Sequence, residues 1–172
     1  MKILILGINY APELAGVGKY SGEMGEWLSA KGVDVHVITA HPYYPEWKVG
    51  YGYRASKFMR ENIKGVEVWR CPIWVPQNKS GIRRILHLLS FALSSLPVLF
   101  RHIFWKPDII LVVAPTFFCV PFALIASKLC WARSWLHIQD FEVDVCFKMG
   151  FLSVGGLFRV AKRIERAIMK RF

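Results

Sequence analysis

The chain has 172 residues, of which 54% are hydrophobic and 15% aromatic. This composition excludes a disordered chain and allows one domain with a sizeable core. The formal net charge of +11 favours an anionic partner, which by charge alone could be nucleic acid, a lipid surface or a phosphorylated substrate.

The first 40 residues predict a β-strand, a glycine-containing loop, a helix and a second strand. Lys2 to Ile8 is an apolar run of strand length, a helical pattern runs from Lys19 to just before Gly32, and residues 33–39 have the pattern of a strand. This βαβ unit predicts an α/β fold: a Rossmann-like parallel sheet with helices on both faces. Ligands of such a sheet bind beyond the carboxyl ends of the strands.

Three more strands are expected at residues 66–70, 108–114 and 134–139, with helical segments between them. Residues 82–105 predict a long, nearly apolar helix, and Pro97 is expected to kink it. Residues 109–127 carry no charge and approach the length of a membrane span, but internal prolines favour a strand, a turn and a helix there.

The last part of the chain predicts an amphipathic helix. Apolar residues from Leu157 to Ile168 recur at helical spacing, and basic residues occupy the other positions. The chain ends at Phe172, where a βα alternation would continue with another strand. We therefore expect a truncated domain.

The glycine loop, Gly16 to Gly18, lies where a strand passes into a helix, a position that attracts phosphate. A dinucleotide fingerprint is excluded because Ser21 replaces a glycine and no acid ends the second strand. The phosphate loop of NTPases is excluded because Tyr20 follows the lysine and Glu13 replaces the first glycine. A purely structural tight turn remains an alternative.

Four segments follow one another along the chain: NYAPELAGVGKYSGEMGEWL, AHPYYPEW, VWRCPIWVP and LHIQDFEVD. Together, in this order, they resemble the N-terminal half of a retaining family 4 glycosyltransferase of the kind that acts in bacterial exopolysaccharide biosynthesis. The resemblance implies a GT-B fold, in which two Rossmann-like domains enclose a cleft, and transfer from a nucleotide-sugar donor without a metal or other cofactor. Residues 1–172 would be the N-terminal, acceptor-side domain. The C-terminal, donor-binding domain would be absent, which would leave the chain alone inactive.

The resemblance also implies candidate site residues. The backbone N–H groups of Gly16, Val17 and Gly18 would approach the donor phosphates, where fixed dipoles stabilise developing charge. Relatives carry an adjacent His-Asp pair at the end of the fifth strand. Here Gln139 and Asp140 occupy that pair, and His137 precedes it by two residues. Asp140 and His137 are the catalytic candidates.

Glu142 is a candidate for acceptor binding, because a carboxylate just past a strand end can orient a sugar hydroxyl. Asp144 is a candidate by the same argument, and both acids could instead cap a helix or stay solvated. Tyr43 and Tyr44, in a proline-broken aromatic loop, are candidates for stacking on an acceptor sugar, with packing against a neighbouring loop as the alternative. Four histidines have no metal-ligand spacing and are interpreted as structural: His36, His41, His87 and His102.

The acceptor implied by the resemblance is linked to a polyprenyl diphosphate, which places the enzyme at the cytoplasmic side of the inner membrane as a peripheral protein. Arg83, Arg84 and Arg101 flank the apolar stretch 82–105 and suit an anionic lipid surface. A buried core helix and a spanning helix are the alternatives for this stretch. The four cysteines form no CxxC pair and are interpreted as reduced thiols, which also favours the cytosol.

Two other functions compete with sugar transfer to a lipid-linked acceptor. The first is a non-catalytic membrane-docking subunit of a two-chain transferase. The second is nucleic-acid binding, which the net charge suggests but no recognition motif supports. Partners expected under the leading hypothesis are a nucleotide-sugar, the lipid-linked acceptor and an anionic membrane, and no nucleic acid.

Overall fold

A computed structural model describes residues 1–77 and 81–138 of the chain. Six strands and three α-helices occur in these residues. The strands are β1 (Lys2–Leu6), β2 (Asp34–Ala40), β3 (Met59–Ile63), β4 (Val66–Cys71), β5 (Ile109–Ala114) and β6 (Arg133–Ile138), and the helices are α1 (Gly16–Ala30), α2 (Gly81–Trp105) and α3 (Val120–Cys130), the last preceded by a 3₁₀ turn.

The six strands form one sheet in the order β3-β4-β2-β1-β5-β6. All neighbouring pairs are parallel except β3 and β4, which are antiparallel. Helix α1 packs on one face of the sheet, and α2 and α3 pack on the other. The predicted fold class, a Rossmann-like α/β sheet with helices on both faces, is confirmed.

Side-chain alternation along β1 explains the two cores. Ile3 and Ile5 point to the face covered by α1, whereas Leu4 and Leu6 point to the face covered by α2 and α3. Strands buried on both sides are continuous apolar runs, and the apolar run in β1 made this strand easy to predict.

Strand β3 was not predicted from the sequence. Its residues, MRENI, are mostly polar, which is typical of an edge strand, and among the described strands β3 pairs with β4 alone. A tight turn joins the two strands: Lys64 and Gly65 both have positive φ, and the Gly65 N–H donates to Oδ1 of Asn62 over 3.0 Å.

Helix α2 is long and apolar enough to cross a membrane by length and composition, and no other helix in the described residues is. Its inward residues Leu88, Phe91 and Leu99 are buried in the core against the sheet. The helix continues through Pro97. Residues 109–127 form strand, turn and helix as predicted, and the amphipathic segment 157–168 lies outside the described residues.

Candidate functional site

The carboxyl ends of the parallel strands carry the candidate site. The loop after β1 leads into α1, and the long loop after β2, residues 41–58, crosses the same edge. His137 lies near the end of β6, opposite Val113 of β5, with an exposed side chain. Asp140 and Glu142 lie outside the described residues.

Gly16, Val17 and Gly18 form the first turn of α1, whereas the sequence predicted a loop through Gly18. Glycine is a poor helix former, so the sequence pattern placed the helix start three residues too late. No side-chain hydrogen bond caps the helix at Ala15, and its first turn contains no acidic residue. Gly16 is exposed and Gly18 is buried. The backbone N–H groups of this first turn therefore have no side-chain acceptor at Ala15, and the positive end of the helix dipole favours an anion there.

A buried carboxylate, Glu13, joins the two loops at this edge. Its Oε1 accepts the backbone N–H groups of Tyr43, over 2.9 Å, and Tyr44, over 3.0 Å. Its Oε2 accepts Nδ2 of Asn9 over 2.9 Å. Burial raises the pKa of the Glu13 carboxyl above its usual value, and these hydrogen bonds oppose that rise.

A buried cation, Arg70 at the end of β4, binds three segments near this edge: strand β3, the end of β2 and the loop after β1. Its side chain is 0% exposed, and its Nε donates to Oε1 of Glu61 over 2.7 Å. The guanidinium also donates to the carbonyls of Ala40, over 3.0 Å, and Ala11. Tyr53 Oη donates to the Glu61 carboxylate as well. The guanidinium is tolerated in this buried position because each of its three nitrogens donates to a carboxylate or a carbonyl.

A cavity of about 330 Å³ opens between the loop after β1 and the loop after β2. Tyr44, whose ring is 40% exposed, lines it. A β-carbon built on Gly16 would lie 3.5 Å from Cε1 of Tyr44, so the ring lies beside the N-terminus of α1. The lining consists mainly of aromatic, proline and charged residues: Pro12, Glu13, Leu14, Pro42, Tyr43, Tyr44, Pro45, Glu46, Lys48, Gly50, Tyr51 and Tyr53.

The two tyrosines predicted to bind an acceptor differ in exposure. The Tyr43 side chain is buried, and its ring makes edge contacts with Trp47 and His87 at centroid distances of 5.6 and 4.8 Å. Its ring is therefore part of the core and packs on its own loop and on helix α2. Of the pair, Tyr44 has the exposed ring.

His36, His87 and His102 contact other protein groups through their ring nitrogens, in agreement with the structural role that the sequence predicted. His102 Nδ1 donates to the carbonyl of Val98 over 2.7 Å, and His36 Nδ1 lies 3.1 Å from His102 Nε2. Burial lowers the pKa of His102 to about 4, so its ring is neutral at pH 7. His87 Nδ1 lies 2.6 Å from the carbonyl of Trp74. No group of three or more His, Cys, Asp or Glu in residues 1–77 and 81–138 could hold a metal.

Sequence reasoning missed the roles of Glu13 and Arg70. The sequence did contain an indication for Arg70. In β4 the side chains of Val66, Val68 and Arg70 point to the same face, so the alternation predicts that the arginine is buried with the two valines. Glu13 gave no comparable signal, since its partners Tyr43 and Tyr44 lie 30 and 31 residues away.

Comparison with known proteins identifies the family of the chain. The sequence profile of the glycosyl transferase 4-like domain matches residues 15–172. The chain is also 52% identical over 162 residues to the putative colanic acid biosynthesis glycosyl transferase WcaI of Escherichia coli (strain K12). This alignment covers 94% of the chain and 40% of WcaI. The chain therefore belongs to the glycosyl transferase 4-like family.

Proposed function

We propose that this chain is the acceptor-side domain of a glycosyltransferase that moves a sugar from a nucleotide-sugar to a lipid-linked acceptor in exopolysaccharide biosynthesis of the colanic acid type. The observation that carries the proposal is the proximity of Gly16, at the N-terminus of α1, to the Tyr44 ring that lines the cavity. This proximity supports a diphosphate site next to a sugar site.

The diphosphate of the donor would lie against the first turn of α1. The backbone N–H groups of Gly16, Val17 and Gly18 occupy that turn, and no side chain caps it. Negative charge grows on the leaving diphosphate during glycosyl transfer, so dipoles already fixed in place stabilise the transition state. Gly16 has a φ of 56°, a backbone conformation that glycine adopts without strain.

The acceptor would enter the cavity beside Tyr44. Exposed aromatic rings stack on the apolar faces of sugars, and the charged side chains of Glu46 and Lys48 on the lining can meet hydroxyl groups. We assign Asp140 and His137 to catalysis and Glu142 to the acceptor, as the family resemblance implies. His137 is on the same carboxyl edge of the sheet as the cavity.

A donor-binding domain would complete the enzyme. The chain spans 40% of the length of WcaI, the relative that it matches. We propose a GT-B arrangement with a retaining mechanism, in which a C-terminal domain binds the nucleotide-sugar and no metal takes part. The chain alone would then be inactive.

The direct test is a transfer assay on the protein that contains this chain together with its donor-binding domain. A panel of nucleotide-sugars is offered with a polyprenyl-diphosphate-linked sugar, and product is followed by mass spectrometry in the presence and absence of EDTA. We expect transfer from at least one donor, unaffected by EDTA. Failure of every donor would favour the non-catalytic docking subunit instead.

We also propose that the outer face of α2 and α3 rests on the cytoplasmic side of the inner membrane. The two helices pack side by side on one face of the sheet, and their outward positions are apolar and exposed. Arg83, Arg101 and Lys128 are exposed on the same helices and would meet anionic headgroups. The apolar positions are Ile82, Leu86, Leu93, Phe100 and Phe104 of α2 and Ile125 and Leu129 of α3.

Sedimentation with vesicles tests this surface. Vesicles of phosphatidylcholine alone are compared with vesicles that also contain phosphatidylglycerol. We expect the chain to sediment with the anionic vesicles and to be released by salt. Equal partitioning into both vesicles would remove the electrostatic part of the proposal.

A further inference from the structure

We infer that Glu13 is a positioning residue for sugar transfer: its buried carboxylate holds the loop that carries Tyr44 against the first turn of α1. This inference rests on the proposed function, and it concerns a residue that none of the sequence motifs assigned to the site. Glu13 acts through other groups, so it is distinct from the catalytic candidates Asp140 and His137.

The Glu13 side chain joins the loop after β1 to the main chain of the loop after β2. Oε1 accepts two consecutive main-chain N–H groups, those of Tyr43 and Tyr44, over 2.9 and 3.0 Å. Oε2 accepts the side-chain amide of Asn9, in the loop after β1, over 2.9 Å. Hydrogen bonds to two adjacent main-chain donors fix the path of the loop itself, and the charge on the acceptor strengthens each of them.

The first turn of α1 packs directly on the same side chain. A β-carbon built on Gly18 would lie 2.5 Å from Oε2 and 2.7 Å from Cβ of Glu13, so only glycine fits at this position. Glu13 therefore contacts the helix end that would hold the donor diphosphate and the loop that would hold the acceptor.

The consequence is a fixed spacing between the two proposed binding regions. Glu13 and Tyr44 both line the cavity, and the Tyr44 ring lies beside Gly16. If the carboxylate is removed, the N–H groups of Tyr43 and Tyr44 lose their acceptor, and the loop can move away from α1. Small misplacements of a bound reactant lower the transfer rate strongly.

Three variants separate this role from general stability. Glu13→Ala removes every hydrogen bond. Glu13→Gln retains an oxygen for both backbone N–H groups, while the Asn9 amide can turn to accept from the new NH₂ group. Glu23→Gln is the matched control, since Glu23 is an exposed carboxylate on α1 that pairs with Lys19 over 3.9 Å.

The first measurement is amide hydrogen exchange at Tyr43 and Tyr44 in the chain itself, which does not depend on any activity. We expect exchange at both amides to be at least about tenfold faster in Glu13→Ala. Glu13→Gln and Glu23→Gln should exchange as the wild type does. Unchanged exchange in a folded Glu13→Ala protein would overturn the inference.

The second measurement is transfer kinetics in the protein with its donor-binding domain, using a polyprenyl-diphosphate-linked monosaccharide as the acceptor probe. For Glu13→Ala we expect the acceptor KM to rise at least about tenfold with the donor KM unchanged, and Glu13→Gln should restore it. A lower kcat with both KM values unchanged would indicate only a smaller folded fraction and would contradict the inference. If the wild type transfers no sugar, the proposed function fails, and the role of Glu13 in sugar transfer fails with it. Amide hydrogen exchange at Tyr43 and Tyr44 would still show separately whether Glu13 holds the loop.

Discussion

Arg70 and Glu61 form an ion pair across the antiparallel strands β4 and β3, with 2.7 Å between Nε of Arg70 and Oε1 of Glu61. The arginine side chain is fully buried and also donates to the carbonyls of two other segments, at Ala11 and Ala40. One cation therefore connects an edge strand, the end of β2 and the loop that leads to α1.

Removal of this cation should destabilise the fold. We expect Arg70→Met to lower the free energy of unfolding by about 3 to 5 kcal/mol, because Glu61 loses its charged partner and the carbonyls of Ala11 and Ala40 lose a donor. The matched control is Arg60→Met, since Arg60 is exposed and pairs with Glu67 over 2.6 Å on the same strand pair. That change should cost about 1 kcal/mol or less. Urea denaturation measures both, and equal losses would contradict the role of Arg70.

Gly18→Ala tests the packing of α1 on Glu13. Alanine would ordinarily stabilise a helix by about 1 kcal/mol relative to glycine. Here the new β-carbon would overlap the Glu13 side chain, so we expect a net loss of about 1 to 3 kcal/mol. Lys19→Ala, at the next and exposed position, should change stability by less than about 0.5 kcal/mol. A stabilised Gly18→Ala protein would show that Glu13 can move aside without cost.

Stability should fall as the pH drops below about 6.5. Burial lowers the pKa of His102 from 6.5 to about 4, so the unfolded chain binds more protons than the native chain between these values. The contribution of His102 is fully present above pH 6.5 and is lost toward pH 4. It amounts to roughly 2 kcal/mol between about pH 7.5 and pH 5. His36, His41 and His87 act in the same direction, since burial lowers their pKa values too.

His102→Asn identifies this histidine as a source of the pH dependence. Asparagine can still donate to the carbonyl of Val98 but does not titrate. Urea denaturation at several pH values should therefore give a smaller slope for the variant than for the wild type. The Glu13 carboxyl opposes the trend, because its raised pKa means that the native chain takes up a proton first as the pH falls. An unchanged slope would argue against His102.

Membrane binding should depend on the face formed by α2. We expect Phe104→Glu to reduce sedimentation with anionic vesicles at least about tenfold, because Phe104 is 86% exposed on that face and the new charge would be repelled. Trp27→Glu is the control, since Trp27 is 61% exposed on α1, which covers the opposite face of the sheet. Equal loss in both variants would mean that net charge, and not this face, governs binding.

The sequence predicted the buried strands well, because their residues are continuous apolar runs between turn signals. Lys2–Leu6 and Ile109–Ala114 are examples. The edge strand β3 was missed because its polar residues depend on pairing with β4 for their conformation. The sequence predicted that α1 begins at Lys19, three residues after its actual start, because Gly16 and Gly18 are poor helix formers. Glycine is nevertheless required at position 18, since a β-carbon there would overlap the Glu13 side chain.

The candidate site could be predicted only in its outline. Gly16 and Tyr44 belong to short motifs that are visible in the sequence, and both lie at the expected edge of the sheet. The groups that hold them are not local. Arg70 reaches the carbonyl of Ala11 across 59 residues and that of Ala40 across 30. Such contacts arise from the order of strands in the sheet, which no single stretch of sequence encodes.

The loop after β2 also closes on itself, and this has a practical use. The Lys48 N–H donates to the carbonyl of Tyr43 over 3.3 Å, and the Gly50 N–H donates to that of Pro42 over 2.9 Å. Within residues 1–77 and 81–138, the tip beyond these bonds extends into solvent: Tyr51 is fully exposed, and a β-carbon built on Gly52 would have no atom within 4 Å. Tyr51 lines the cavity, and the two hydrogen bonds fix the loop on which it lies. The fluorescence of an environment-sensitive dye attached at Tyr51→Cys can therefore report ligand entry in real time.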